Sequence, residues 1–457
     1  MELVFMFILL SLLLLSLIYL LPKIIKNKPK FSPPGPPGLP FIGNLHQINQ
    51  STLHTSLWQL SKSYGPIISL RFGFVPAIVV SSASLAKEVM KTQDIIFCSR
   101  PRLVGNQKFS YGGLDVAFSS YDETWRDMRK IFVTHLLSPK RIQSTRDIHE
   151  NERKKVLGLL NELQETIVDN YVSDIWPGLP FVNLVDRFMG KTDRLEKCFQ
   201  DFDLFYQQLI DEHLNGRNIK SHEDEDDVID ILLRLMEDKL FSLTHNHIKA
   251  LLMNVLSAGT DPNAASVVWS MTLLIKNPEV MKKAQEEVRN MIGKKGKIDE
   301  DDLPKLTYLK AVIKETMRLY PPAPLLLPRE AMKDAVLHCY KIKQKTIVYV
   351  NAYAIGRDPE FWESPEDFFP ERFLDSDIDF KGNDLELIPF GAGRRICPGM
   401  SMGVVMVELL LANLLYLFDW GLPDGIKKED IDLDVMPGLT MLKRNELCLL
   451  AHEVLYF

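Results

Sequence analysis

The ten residues from Phe390 to Gly399, Phe-Gly-Ala-Gly-Arg-Arg-Ile-Cys-Pro-Gly, constrain this chain more than any other stretch. They set one cysteine on a glycine-rich loop directly before an apolar run, Met400 to Phe418, that reads as a helix. Gly391 and Gly393 admit backbone conformations that a Cβ disfavours, so the loop can curl around the Cys397 sulfur. Pro398 has the fixed φ of a first helical position, and Gly399 lets a flat group approach the backbone closely. A thiol at a helix N-terminus faces unpaired N–H groups and the positive end of the dipole, which favours the thiolate. A lone cysteine is ordinarily an inert small hydrophobe, and the loop reverses that reading. The other four cysteines, Cys98, Cys198, Cys339 and Cys448, have neither CxxC spacing nor a disulfide framework. That excludes a zinc ribbon and fits a reducing compartment. A net charge of −6 offers no basic footprint for nucleic acid.

The N-terminus is different in kind. Leu3 to Leu21 is a run of 19 residues without a charge, about 28 Å as a helix, which matches the hydrocarbon core of a bilayer. Pro22 leads into Lys23, Lys26, Lys28 and Lys30, whereas Glu2 is the only charged side chain before the run. No small-residue cleavage site follows, so the run reads as an uncleaved anchor with the body of the chain in the cytosol. The sequence therefore divides into a transmembrane anchor at 1–22, a basic and proline-rich hinge at 23–40, and one folded body at 41–457. Such an anchor points to the endoplasmic reticulum membrane, with membrane lipid as a partner.

The body reads as mainly α with small β-sheets. Ile67 to Phe72 and Ala77 to Val80 are β-prone runs that suit a hairpin, Ser84 to Thr92 a short helix, and Lys345 to Val350 a further strand. The longest predicted helix starts after Thr244 and ends at Lys276 before Asn277-Pro278. Its middle is apolar or small on nearly every side, which predicts burial. Pro262 lies inside it, lacks an N–H and presses on the Ala258 carbonyl, which predicts a bend.

The cysteine loop carries every fixed position of Phe-x-x-Gly-x-Arg-x-Cys-x-Gly and so resembles the cytochrome P-450 family, most closely the plant microsomal members acting on specialised metabolites. The resemblance implies the cytochrome P-450 fold preceded by one transmembrane helix. It makes Cys397 the axial ligand of haem b, with Phe390, Gly391 and Gly399 packed around it. Trp125 and Arg129 match Trp-x-x-x-Arg and, with Arg395, Arg100 and Arg329, are the implied partners of the haem propionates. Glu315 and Arg318 match Glu-x-x-Arg, and Arg372 lies in Pro-Glu-Arg-Phe; together they imply a structural triad. Ala258-Gly259-Thr260-Asp261 matches the oxygen-activating stretch. Ala258 and Gly259 make room for O₂, and Asp261 and Thr260 are the catalytic candidates. Pro262 stands where the family has threonine. Phe118, Val255, Leu325, Leu326 and Leu439 are implied walls for a small apolar substrate of phenolic, terpenoid or aldoxime-like class.

The implied activity is insertion of one oxygen atom from O₂, with NADPH electrons delivered through a partner NADPH–cytochrome P-450 reductase. Pro262 leaves open a haem-thiolate isomerase or dehydratase that needs no O₂. A second departure is length. The family carries more chain between the Trp125 helix and Cys198, so Glu152 runs almost directly into Leu159. The loss of a helix beside the long central helix and the C-terminal helix leaves open an inactive, shortened chain.

Overall fold

The computed structural model describes residues 31–137, 150–216, 227–239 and 241–454. The apolar run Leu3 to Leu21 and its following lysines lie outside the described residues. The hairpin forms as predicted: β1 (Ile67–Phe72) pairs antiparallel with β2 (Val75–Val80), Ile67 opposite Val80. Pro76 falls inside β2, just outside the stretch from Ala77 onward that takes up the next strand. β3 (Arg329–Glu330), β4 (Ala335–Leu337), β5 (Tyr340–Ile342) and β6 (Ile347–Val350) follow. One sheet runs β1-β2-β6-β3, with β6 parallel to β2; β4 and β5 form a separate ribbon. β7 (Phe418–Gly421) and β8 (Leu450–Glu453) form another. A single bridge between Ser99 and Glu330 ties the 99–100 segment to β3.

The longer helices are α1 (Leu53–Tyr64), α2 (Glu123–Ile131), α3 (Glu150–Ile167), α4 (Lys191–Gly216), α5 (Val228–Glu237), α6 (His245–Lys276), α7 (Pro278–Ile292), α8 (Thr307–Leu319) and α9 (Met400–Leu417). Thr244 and Asn277 bound α6 where the sequence places its ends, and the helix runs through Pro262 without interruption. One apolar core gathers Met128, Ile131, Leu160, Leu163, Phe202, Leu232 and, from the first half of α6, Leu251. A second gathers Leu309, Val312, Leu411 and Leu415 with Leu274 from the second half of α6. The centre of α6 departs from the expected burial: Ala258, Gly259 and Ala264 are exposed between buried turns on either side.

Two features bear on the short segment expected after α2. The stretches on its two sides join in one helix, α3, whose Leu159, Leu160 and Leu163 are buried. Elsewhere an apolar stripe lies open. On α9, Met402, Met406 and Leu410 recur every fourth residue, so they share a face, and all three are half-buried or exposed. Leu410 is 45% exposed, Val268 on α6 36%, and Val133 beyond α2 48%. Among the described residues, α9 is the one helix long and apolar enough to cross a membrane by length and composition. Its packing against α6, α7 and α8 makes it a core helix instead.

Candidate active site: a cysteine loop beside an arginine cluster

The loop closes on itself through the Cys397 N–H, which donates to the Phe390 carbonyl at 3.0 Å. Gly393 has φ +71°, and a Cβ there would lie 1.9 Å from the Met90 carbonyl oxygen, so only glycine fits. α9 begins at Met400 with Gly399 as its cap, so Pro398 precedes the helix instead of opening it. Gly399 has open space where a Cβ would stand, and Gly391 meets only Leu326 Cδ1 at 3.7 Å. Cys397 itself is half-buried. Burial pushes its thiol up, against the opposing pull of the Gly399 N–H and the Arg129 charge. The expected helix-terminus thiolate is therefore not intrinsic to the loop. Desolvation is the larger influence on the thiol, ahead of the Gly399 N–H and Arg129.

Asp122 caps α2 by accepting from the Trp125 N–H at 2.8 Å, which sets Trp125 and Arg129 one turn apart. Trp125 Nε1 donates to the Val116 carbonyl at 2.9 Å, and Arg129 Nη2 donates to the Ile396 carbonyl at 2.6 Å, beside the cysteine. The Arg395 guanidinium lies 4.1 Å from the centre of the Trp125 ring and donates to the carbonyls of Cys98, Val116 and Ser119. Arg100 donates to the carbonyls of Ala117, Leu327 and Pro328. Arg329 pairs with Asp94 at 2.8 Å and donates to the Ala392 carbonyl in the cysteine loop. The bridge between Ser99 and Glu330 is what brings Arg100 and Arg329 together.

Arg100, Arg329 and Arg395 are all buried. Burial drives Arg100 well below the ordinary guanidinium range, and the charges of Arg395 and Arg329 add to the effect. Burial brings Arg395 down to about 10, and lowers Arg329 against the pull of Asp94. Of the nearby carboxyls, Asp94 is paired and Asp115 is pushed up by burial. The cluster is thus short of negative charge, and a buried cation surplus is costly unless an anion joins it. Two propionates of a haem supply that complement, and the open backbone at Gly391 and Gly399 suits a flat ring.

The exposed centre of α6 adjoins this loop. An added Cβ on Gly403 of α9 would meet Asn263 Oδ1 at 3.2 Å and Phe390 Cε1 at 3.9 Å. Asn263 Nδ2 donates to the Gly259 carbonyl at 2.8 Å, so this side chain faces α9 and its own helix. A Cβ on Gly259 would meet nothing within 4 Å. Burial pushes the Asp261 carboxyl up, opposed by a hydrogen bond from Gln164.

Glu315, Arg318 and Arg372 come together as the resemblance implied. Arg318 Nε and Nη2 donate to Glu315 at 2.7 and 2.8 Å, and Arg372 Nε donates to the same carboxylate at 3.1 Å. Arg318 also donates to the carbonyls of Gly356, Pro365 and Asp367, which ties α8 to the irregular segment 356–367 on the way to the cysteine loop. Removing one partner of such a buried set costs about 3–5 kcal/mol. The implied substrate walls divide. Leu326 faces Gly391, and Phe118 is buried in the segment that accepts from the arginines. Val255 packs toward the first core and Leu439 is half-buried beside Thr440. Leu325 instead packs against the sheet cluster of Ile68, Leu70 and Val79, because the chain turns between the two leucines, with Leu326 at φ +52° and its N–H donating to the Ala323 carbonyl. Gln164 was missed by motif reading. Its one signal is a polar side chain four residues after buried Leu160 on α3.

The comparisons agree with this geometry. A family model described as cytochrome P-450 matches residues 33–175 and 160–449. The 6,7,8-trihydroxycoumarin synthase of Pastinaca sativa is 45% identical over 471 aligned positions, covering 91% of this chain and 92% of that protein. Cytochrome P-450 71B34 of Arabidopsis thaliana is 43% identical, covering 97% and 99%. A zebrafish cytochrome P-450 structure with abiraterone superposes with a TM-score of 0.69 at 25% identity, covering 88% of this chain and 99% of that one. Both sequence alignments exceed the part of this chain they cover by about 55 positions, an internal shortfall relative to these proteins. This chain belongs to the cytochrome P-450 family, as a haem-thiolate monooxygenase of the plant type.

Proposed function

We propose that this chain inserts one oxygen atom from O₂ into a small apolar aromatic metabolite, with NADPH electrons passed on by NADPH–cytochrome P-450 reductase. The observation that carries this reading is the half-buried Cys397 on its closed loop, flanked by buried arginines in excess of carboxylates. The aromatic class follows from a relative named for a hydroxylated coumarin and from the apolar walls. Residues 1–22 anchor the chain in the endoplasmic reticulum membrane, 23–40 form the hinge, and 41–457 are the catalytic body; the uncharged run and its trailing lysines support that division.

Haem b held by Cys397 supplies reductive activation of O₂ and transfer of one oxygen atom. The residues of this chain do the rest. Arg100, Arg129, Arg329 and Arg395, with Trp125 beneath Arg395, hold the propionates. Phe390, Gly391 and Gly399 fix the sulfur and let the ring approach. Ala258 and Gly259 leave space on α6. Asp261 moves protons, with Thr260 beside it, and Pro262 deprives the Ala258 carbonyl of its helical donor so that it can hold water. Glu315, Arg318 and Arg372 brace the segment leading to the loop.

Incubation with NADPH, reductase and ¹⁸O₂ tests the reading, with a product carrying one labelled atom as the expected result. Pro262 favours a second reading, an isomerase or dehydratase. Turnover of a hydroperoxide or an oxime without NADPH would establish it in place of the first. For the monooxygenase, Pro262→Thr restores a hydroxyl at the oxygen site and is expected to raise the fraction of electrons recovered in product. One well-placed donor contributes about 3 kcal/mol to a step that develops charge. The peroxide released per NADPH consumed is the measurement, and it falls.

A further inference from the structure

Gln164 stands on α3, outside every motif, yet its amide reaches the oxygen-activating stretch. Nε2 donates to Asp261 Oδ2 at 2.6 Å and lies 3.5 Å from Thr440 Oγ1. Its Oε1 is buried with no donor, beside Gly438. An amide with one end unsatisfied is held in such a place by the strength of its other bond, here a charge-assisted one to a carboxylate. Three separate elements thus meet at Gln164: α3, α6 through Asp261, and the Gly438–Thr440 segment.

We propose that Gln164 is a positioning residue for proton delivery, orienting the Asp261 carboxylate and holding it in its proton-accepting form. The inference rests on Asp261 being the acid of the site. Among the described residues, burial and this one amide are the influences on Asp261, with no charged group of α3, α6 or the 438–440 segment acting on it. The two influences oppose each other, since burial disfavours the carboxylate and the Gln164 donor favours it. Pro262 provides no hydroxyl one residue on, so the direction in which the Asp261 oxygens point is left to Gln164. α3 is the helix that joins the two sides of the shortened stretch, and its register is what carries residue 164 to α6.

The test is an infrared titration of the full chain with ¹³C-carboxyl-labelled aspartate, the Asp261 band being the one lost in Asp261→Asn. In Gln164→Leu the protonation midpoint is expected to rise by about one pH unit or more, the loss of one hydrogen bond to a charged group. The acid limb of the pH profile for electron coupling moves up with it, while the carbon-monoxide spectrum is unchanged. Gln164→Asn, which keeps the polarity but falls short of Asp261, shifts the midpoint in the same direction and guards against a packing defect in the leucine variant. In an Asp261→Asn background, Gln164→Leu changes the pH profile no further. An unmoved midpoint in both variants overturns the proposal, even with oxygenation intact. A raised midpoint in a chain that does not oxygenate supports the clamp and removes only the functional reading.

Discussion

Cys397→Ser abolishes the thiolate-specific band of the reduced carbon-monoxide difference spectrum and leaves no monooxygenase activity. The substitution preserves the loop, because the bond that closes it runs from the backbone N–H of residue 397 to the Phe390 carbonyl. What disappears is the sulfur toward which Arg129 and the Gly399 N–H are turned. No other cysteine can stand in. Cys98 is buried and bonds the Ile95 carbonyl, and burial pushes the Cys198 thiol up to about 12. Cys339 and Cys448 are exposed, on segments without the glycine loop. A serine variant that kept the band would place the ligand elsewhere and end the assignment of this site.

The second large effect comes from the shortened stretch. Inserting the segment of about 55 residues that the relatives carry between Glu152 and Leu159 is expected to raise haem loading and thermal stability together. The reason is the open stripe of Met402, Met406 and Leu410 on α9, together with the exposure of Val268 on α6. Covering a large apolar side chain contributes about 1.5–3 kcal/mol, and a typical folded chain has a margin of only about 5–15 kcal/mol. A few such side chains are therefore a large share of the whole. The haem-to-protein ratio and the midpoint of thermal unfolding, measured with and without the insert, are the readouts. Full haem loading by the unextended chain would show that α3 and its neighbours already close the gap.

The parts of this site written into contiguous residues were legible in advance. The loop from Phe390 to Gly399, the i, i+4 pair Trp125 and Arg129, the Glu315–Arg318 pair and both ends of α6 depend on local spacing and capping. What required the fold was set across long separations. Gln164 meets Asp261 only because α3 and α6 both pack on α4, and Arg100 meets Arg329 only through one bridge between Ser99 and Glu330. Burial was misjudged twice for one reason. Local pattern describes a helix face, whereas exposure at Ala258 and the raised Cys397 thiol depend on what neighbouring elements leave open or enclose. The Pro398 position differs by a matter of caps, since Gly399 ends the loop and takes the terminal place itself.

α6 contributes its first half to one apolar core and its second half to the other, with the exposed turn at Ala258 and Gly259 between them. The reacting centre proposed here therefore lies on a seam. Neither core contains it, and neither half of the chain could carry it away alone. The helix acts as a common axle, keeping the two apolar cores in register. A disturbance that turns one core against the other is felt at that middle turn, so the chemistry proposed for this protein depends on the agreement of its two halves.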